Sequence, residues 1–176
     1  MTFTEQQGDL FSVNDNHQPN SYCLAHCISA DLAMCGGIAV GFNHHFDMRD
    51  KLKERYVYYN LVKDFQRSGA MVLPMDVKED WLTGQLVNTT VYNLVTKAYV
   101  YDKPTYEDFT AAIQRLKNCM VRDGKTKLAI PKLGCGIDGL DWERVETIIQ
   151  TTFVNTHIDI VVRVVYMYGK SPVWGT

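Results

Sequence analysis

Residues Lys127 to Asp138 read KLAIPKLGCGID. The apolar run Lys127–Pro131 has the length of a short buried strand, and glycines 134 and 136 follow it closely. Glycine lets the main chain turn sharply and approach a ligand with no Cβ in the way. A helix-periodic segment comes next, since Asp141–Phe153 places Val145, Ile148, Ile149 and Phe153 on one face. A glycine turn between a strand and a helix offers free amides at the helix start, a setting that favours phosphate. Gly36-Gly37 stands at a second junction of this kind, between a strand at Tyr22–Ser29 and a helical segment running through Phe46. Together the two loops are suited to gripping a pyrophosphate from both sides. Taken singly, each is as readily a plain tight turn. Neither carries the Gly-Lys-Ser/Thr of a Walker A loop, and neither fits GxGxxG.

The rest of the chain repeats the alternation. Gly8-Asp9-Leu10-Phe11 reads as the end of a first strand, and the polar stretch Ser12–Ser21 as a surface loop. Ala70–Met75 is a short strand that Pro74 assigns to an edge or a strand end. Leu86–Lys97, rich in β-branched and aromatic residues, is a longer strand. A helix starts near Pro104 and Glu107-Asp108, with Phe109, Ile113, Leu116 and Met120 at helical spacing and Gly124 beyond its end. Ile158–Tyr168 closes the chain's regular structure as a central strand. The pattern predicts a single α/β domain over 1–176, with a mixed, largely parallel central sheet covered by helices on both faces in three α/β/α layers. In such sheets the ligand crevice lies outside the carboxyl ends of the strands, where both glycine loops fall.

Composition narrows the function. The 176 residues are 46% hydrophobic and 22% charged, and the formal net charge is −2. No broad positive field draws nucleic acid or an anionic membrane, so an anionic ligand must be held locally. No apolar run reaches the ~18 residues of a membrane span. Met1–Gly8 is polar, without the basic and apolar regions of a signal peptide, so the cytosol is the expected compartment, with the nucleus accessible. Five cysteines, an odd number, indicate free thiols rather than a disulfide framework. Cys23, His26, Cys27 and Cys35 suggest zinc only superficially, because strand alternation sends His26 to the face opposite Cys23 and Cys27. No metal and no cofactor is expected. His44-His45 reads as a solvated helix face, and Tyr56, Tyr58 and Tyr59 as a packed turn or a ligand platform.

In order along the chain, Gly8-Asp9-Leu10-Phe11, Leu24–Ser29 (LAHCIS), Gly37–Val40 (GIAV), Tyr92–Lys97 (YNLVTK), Lys103–Glu107 (KPTYE) and Pro131–Asp138 followed by Trp142-Glu143 resemble a macrodomain. More narrowly they resemble the ALC1-like branch that contains the terminal ADP-ribose protein glycohydrolase. The likeness runs from about residue 8 to residue 168.

The resemblance implies an ADP-ribose pocket and a role for each matching position. Lys97 matches a lysine that attacks the anomeric carbon of the distal ribose. Asp138 matches an aspartate that acts as acid/base and resolves the lysyl adduct. Lys132, Leu133, Gly134, Cys135, Gly136 and Ile137 match the segment that wraps the phosphates and distal ribose. Ser29, Gly36, Gly37 and Ile38 match the first glycine loop and its strand end, Asp9 and Leu10 meet the adenine, and Tyr168 falls at a ligand contact on the last strand. A lysine is nucleophilic only when neutral, so the site must depress its pKa by desolvation or a nearby cation, while an opposing carboxylate takes and returns a proton and a transient lysyl link divides one hard step into two. Without the resemblance, Lys97 would read as a snorkelling lysine and Asp138 as a turn carboxylate.

Cys35 stands where the family usually has a small residue, the Ser12–Ser21 loop is long, and the asparagine-rich strand end of water-using relatives is missing. The resemblance implies a monomeric hydrolase releasing mono-ADP-ribose from a protein, most naturally through a glutamate or aspartate link. Two alternatives stay open: action on ADP-ribose 1″-phosphate or O-acyl-ADP-ribose as metabolites, and non-catalytic reading of ADP-ribose on a partner. An ADP-ribosylated nucleic acid is a further candidate substrate.

Overall fold

The structure, a computed structural model, describes residues 1–15 and 21–165. Six strands build one sheet: Phe3–Gln7 (β1), Cys23–Ser29 (β2), Met71–Glu79 (β3), Leu86–Lys97 (β4), Lys127–Ile130 (β5) and Asp159–Val164 (β6). Their order is β1-β6-β5-β2-β4-β3; every pairing is parallel except β3 with β4. The helices are Ile38–Phe46 (α1), Met48–Arg55 (α2), Tyr58–Ser68 (α3), Tyr106–Arg122 (α4) and Trp142–Phe153 (α5).

Alternation along β2 divides the core. Leu24 and Ile28 join Phe42, Phe46, Leu52 and Leu61 from α1, α2 and α3 on one face. Cys23, Ala25 and Cys27 join Phe109, Leu116, Ile149 and Phe153 from α4 and α5 on the other. This is the three-layer arrangement the pattern predicts. His26 lies opposite the two cysteines, stacked on Phe42 at 3.8 Å. Among the described residues no group of three or more His, Cys, Asp or Glu is placed to hold a metal ion, and no helix is long and apolar enough to cross a membrane.

Local chemistry sets the boundaries. Thr105 caps α4 by accepting from the Asp108 amide at 3.0 Å, with Glu107 and Asp108 in the first turn. Pro74 is tolerated because β3 is an edge strand. The strand nevertheless runs on to Glu79, past the expected end at Met75.

Four expectations need correction. The first strand ends at Gln7, not Phe11: Asp9 accepts the Phe11 amide at 3.1 Å and folds Leu10–Ser12 into a 3-10 turn that buries Leu10. The last strand sits between β1 and β5, one place in from the edge, and its regular part is Asp159–Val164. Tyr168 and Trp174 lie outside the described residues. His45 is no solvated residue, since its Nδ1 lies 2.9 Å from the Asp80 carboxylate and its ring stacks on Phe11 at 4.2 Å. The stretch from Met48 to Ser68 forms two helices, with Tyr56 between them and Tyr58 and Tyr59 exposed on the first turn of α3.

His26 makes stability pH-dependent. It is fully buried, its Nε2 lies 2.6 Å from Asn93 Oδ1, and its Nδ1 has no hydrogen-bond partner. Burial lowers its pKa to about 4, with the Asn93 hydrogen bond opposing weakly. The unfolded imidazole takes up a proton near 6.5, so between there and pH 4 the unfolded chain binds more protons. Stability should therefore fall by about 3 kcal/mol as pH drops across that window, and no further below it. Urea denaturation at pH 7, 5.5 and 4 should show this slope in wild type and lose most of it in His26→Gln.

Candidate active site

Lys97 ends β4, and a register irregularity aims it. Ile28 pairs with Val95 but Ser29 pairs with Lys97, leaving Thr96 as an extra residue. A bulge of this kind bends a strand end and re-aims its side chain. The Lys97 ammonium donates to Asp138 Oδ1 at 2.7 Å and to the Val100 carbonyl at 3.1 Å. Both side chains of the ion pair are only 8% exposed. An ammonium and a carboxylate this close, taken largely out of water, make a strong charge-assisted hydrogen bond along which a proton can pass directly.

Asp138 is delivered by the loop after β5. Gly134 turns with φ 71°, a conformation side chains resist, and a Cβ there would lie 2.7 Å from Leu140 Cδ1. The Leu140 amide donates to the Gly134 carbonyl at 2.8 Å and the Gly139 amide to Gly136 at 3.1 Å, which fixes the turn. Lys103 holds it from outside by donating to the Ile137 carbonyl.

The second loop runs from Ser29 to Gly37. Leu32 and Met34 adopt left-handed backbone at φ 54° and 46°, though neither is glycine, and both are buried. Strain of this sort persists where surrounding bonds over-determine it. Here Arg49 donates to the Leu32 carbonyl and Asn43 to that of Met34, each at 2.9 Å. Asp31 knits this loop to the one after β4: it accepts from Ser29 Oγ at 2.6 Å, the Ala33 amide at 3.1 Å and the Val100 amide at 3.0 Å. Gly37 then starts α1 with no side-chain cap, leaving the helix-start amides for an anion.

These pieces border a cleft, open to solvent, lined by Ser29, Gly36, Gly37, Lys97, Ile137 and Asp138 among others. The two glycine loops meet across it, since a Cβ on Gly36 would stand 2.9 Å from Ile137 Cδ1. Ile38 and Leu133 are buried behind the cleft, while Gly134, Cys135 and Gly136 form the turn leading to Ile137. Lys132 lies 3.7 Å from Glu5 and near the face of Trp142. Asp9 and Leu10 are not among the cleft's lining residues; they follow β1, whose end is four strand spacings, about 19 Å, from that of β4. Val164 ends β6 between them, so the loop ends form a row along one edge of the sheet.

Burial pushes the Cys135 thiol up to about 12, against the opposing pull of Lys132, and also raises that of Cys27, which lines the cleft, so these two are poor nucleophiles. Sequence reasoning missed Asp31, Val100 and Lys103 because Val100 acts through its main chain and the Asp31 and Lys103 side chains bond chiefly to main-chain groups of other segments, which residue spacing does not reveal.

Gly36→Val tests the narrow passage between the loops. Ile137 is exposed and its terminal methyl yields easily, so unfolding stability should change by less than about 0.5 kcal/mol. The added branch fills the space a phosphate would enter, so calorimetry with free ADP-ribose should show affinity reduced at least about tenfold.

No family model matches the chain. The human ADP-ribose glycohydrolase OARD1 is 33% identical to it over 159 residues, 90% of this chain and 89% of that protein. Among solved structures, the macrodomain of Mycobacterium tuberculosis DarG aligns with a TM-score of 0.66 at 22% identity, over 92% of this chain and 97% of that one. Thermosipho africanus DarTG, solved in complex with ADP-ribose, gives a TM-score of 0.66 at 15% identity, over 96% of this chain and 43% of that one.

Proposed function

The chain has the macrodomain fold and belongs to the family of the ADP-ribose glycohydrolase OARD1, and on that premise we propose that it is an ADP-ribosyl hydrolase acting through Lys97 and Asp138. The acceptor is a protein glutamate or aspartate, and the product is free mono-ADP-ribose. The observation that carries this reading is the buried 2.7 Å contact between Lys97 Nζ and Asp138 Oδ1 at the end of the cleft between the glycine loops.

The steps follow from that contact. Asp138 takes a proton from the Lys97 ammonium, and the neutral amine attacks the anomeric carbon of the distal ribose. The bond from that carbon to the acceptor oxygen breaks, and Asp138 passes its proton to the departing carboxylate. A water then gives a proton to Asp138 and attacks the same carbon, the carbon–nitrogen bond breaks, and the proton returns to Lys97. The net change is one water consumed and one carbon–oxygen bond cleaved. Splitting the displacement in two lets an amine and a carboxylate do the work without a metal ligand set.

The test pairs two measurements on wild type: release of ADP-ribose from a glutamate-linked peptide, and calorimetric binding of free ADP-ribose. Release with multiple turnovers supports the hydrolase. Binding without release from any ester-linked acceptor would make the protein a reader and refute the proposal.

A further inference from the structure

The loop that follows Lys97 carries an exposed aromatic pair. Tyr99 and Tyr101 stack with ring centroids 5.3 Å apart and planes 3° from parallel. Tyr101 is 76% exposed, unusual for a large ring held in an ordered stack. The loop is fixed at four points: the Tyr99 amide donates to Asp102 at 3.0 Å and the Asp102 amide to the Tyr99 carbonyl at 3.0 Å, Asp31 accepts the Val100 amide, and the Val100 carbonyl accepts the Lys97 ammonium. The tyrosines thus flank a residue that itself lines the cleft and touches the nucleophile.

This placement rests on the hydrolase reading. If Lys97 faces the anomeric carbon, the acceptor linked to that carbon sits in the cleft that Val100 lines, and the rest of a protein substrate leaves through the mouth of that cleft. We infer that Tyr101, backed by Tyr99, is a subsite for the acceptor, and that it binds a basic side chain flanking the modified carboxylate of a protein substrate. The charge around the loop selects this partner. Lys97 and Asp138 offset each other as an ion pair, while Asp31 and Asp102 both bond to the loop's main chain and Lys103, on the loop, donates to the Ile137 carbonyl, so the two loop-bound carboxylates outnumber the loop's own lysine. An arginine or lysine resting on the outer face of Tyr101 gains the attraction of a cation for an aromatic ring, augmented by the Asp102 charge. A nucleic-acid strand needs cations for its phosphates and is disfavoured by the two carboxylates bonded to this loop.

The experiment uses glutamate-linked ADP-ribosyl peptides that differ only in the residue two positions from the link: arginine, alanine or glutamate. Wild type should favour the arginine peptide over the glutamate peptide by about two- to fivefold in kcat/KM, the range of an exposed cation–ring contact. Tyr101→Ala should abolish the preference, and Tyr101→Phe should keep it, because the ring face rather than the hydroxyl makes the contact. O-acetyl-ADP-ribose, which has no peptide, should respond equally to wild type and both variants. Equal rates on all peptides, a preference that survives in Tyr101→Ala, or an equal loss on O-acetyl-ADP-ribose would overturn the subsite. A larger loss on an ADP-ribosylated oligonucleotide would transfer it to nucleic acid and overturn it too. Should wild type release nothing, the same peptides compared by equilibrium binding decide the subsite separately from the hydrolase.

Discussion

Lys97→Ala should lower release of glutamate-linked ADP-ribose by a factor on the order of 10³ or more, as loss of a nucleophile does. Free ADP-ribose should still bind within about tenfold, or roughly 1.4 kcal/mol, because the glycine loops and the α1 start remain. The contrast separates chemistry from recognition. Truncation has a second effect, since Asp138 loses its 2.7 Å partner and stays buried. Breaking a buried pair costs about 3–5 kcal/mol, so thermal unfolding of Lys97→Ala should shift downward as well. Lys97→Gln supplies the control, with an amide of similar length that can donate to Asp138 and Val100 but cannot attack. It should unfold near wild type and be equally inactive. Full activity in either variant would eliminate the lysine route.

Asp138→Asn acts on the second half of the cycle. The amide keeps the shape of the carboxylate and accepts a hydrogen bond from Lys97, yet it takes no proton. Turnover should fall about 10²- to 10⁴-fold, the usual contribution of a placed acid/base. Attack by Lys97 slows but continues through loss of its proton to solvent, whereas activation of the resolving water is lost. A fraction of the enzyme should then carry ADP-ribose on Lys97, visible as added mass in the intact protein. Wild type sampled during turnover should show little of it.

The layered fold was legible because its strongest segments are locally consistent. Twelve residues rich in Val, Thr and Leu make β4 with the predicted ends, and α5 follows its apolar stripe. Where the signal failed, the cause is visible. β1 is an edge strand whose residues FTEQQ are mostly exposed, so no alternation marks it, while the apolar pair Leu10-Phe11 belongs to a turn. In α2 the sequence MRDKLKER buries only Met48 and Leu52, one pair four apart amid charges. His45 gave no hint of its partner because Asp80 lies 35 residues away. Lys97 and Asp138 are likewise 41 residues apart, and only the order of the surrounding motifs joined them beforehand. Asp31 carried no signal, since its carboxylate braces two loops by accepting main-chain amides whose meeting the sequence does not reveal.

Mass-spectrometric peptide mapping of Asp138→Asn, quenched while it reacts with a glutamate-linked ADP-ribosyl peptide, tests the covalent route most directly. The predicted result is ADP-ribose on the proteolytic fragment containing Lys97 and on no other, absent when Lys97→Gln is combined in the same chain. ADP-ribose released in a single turnover with Lys97 unmodified at every time point would contradict it, and would assign the attack to water.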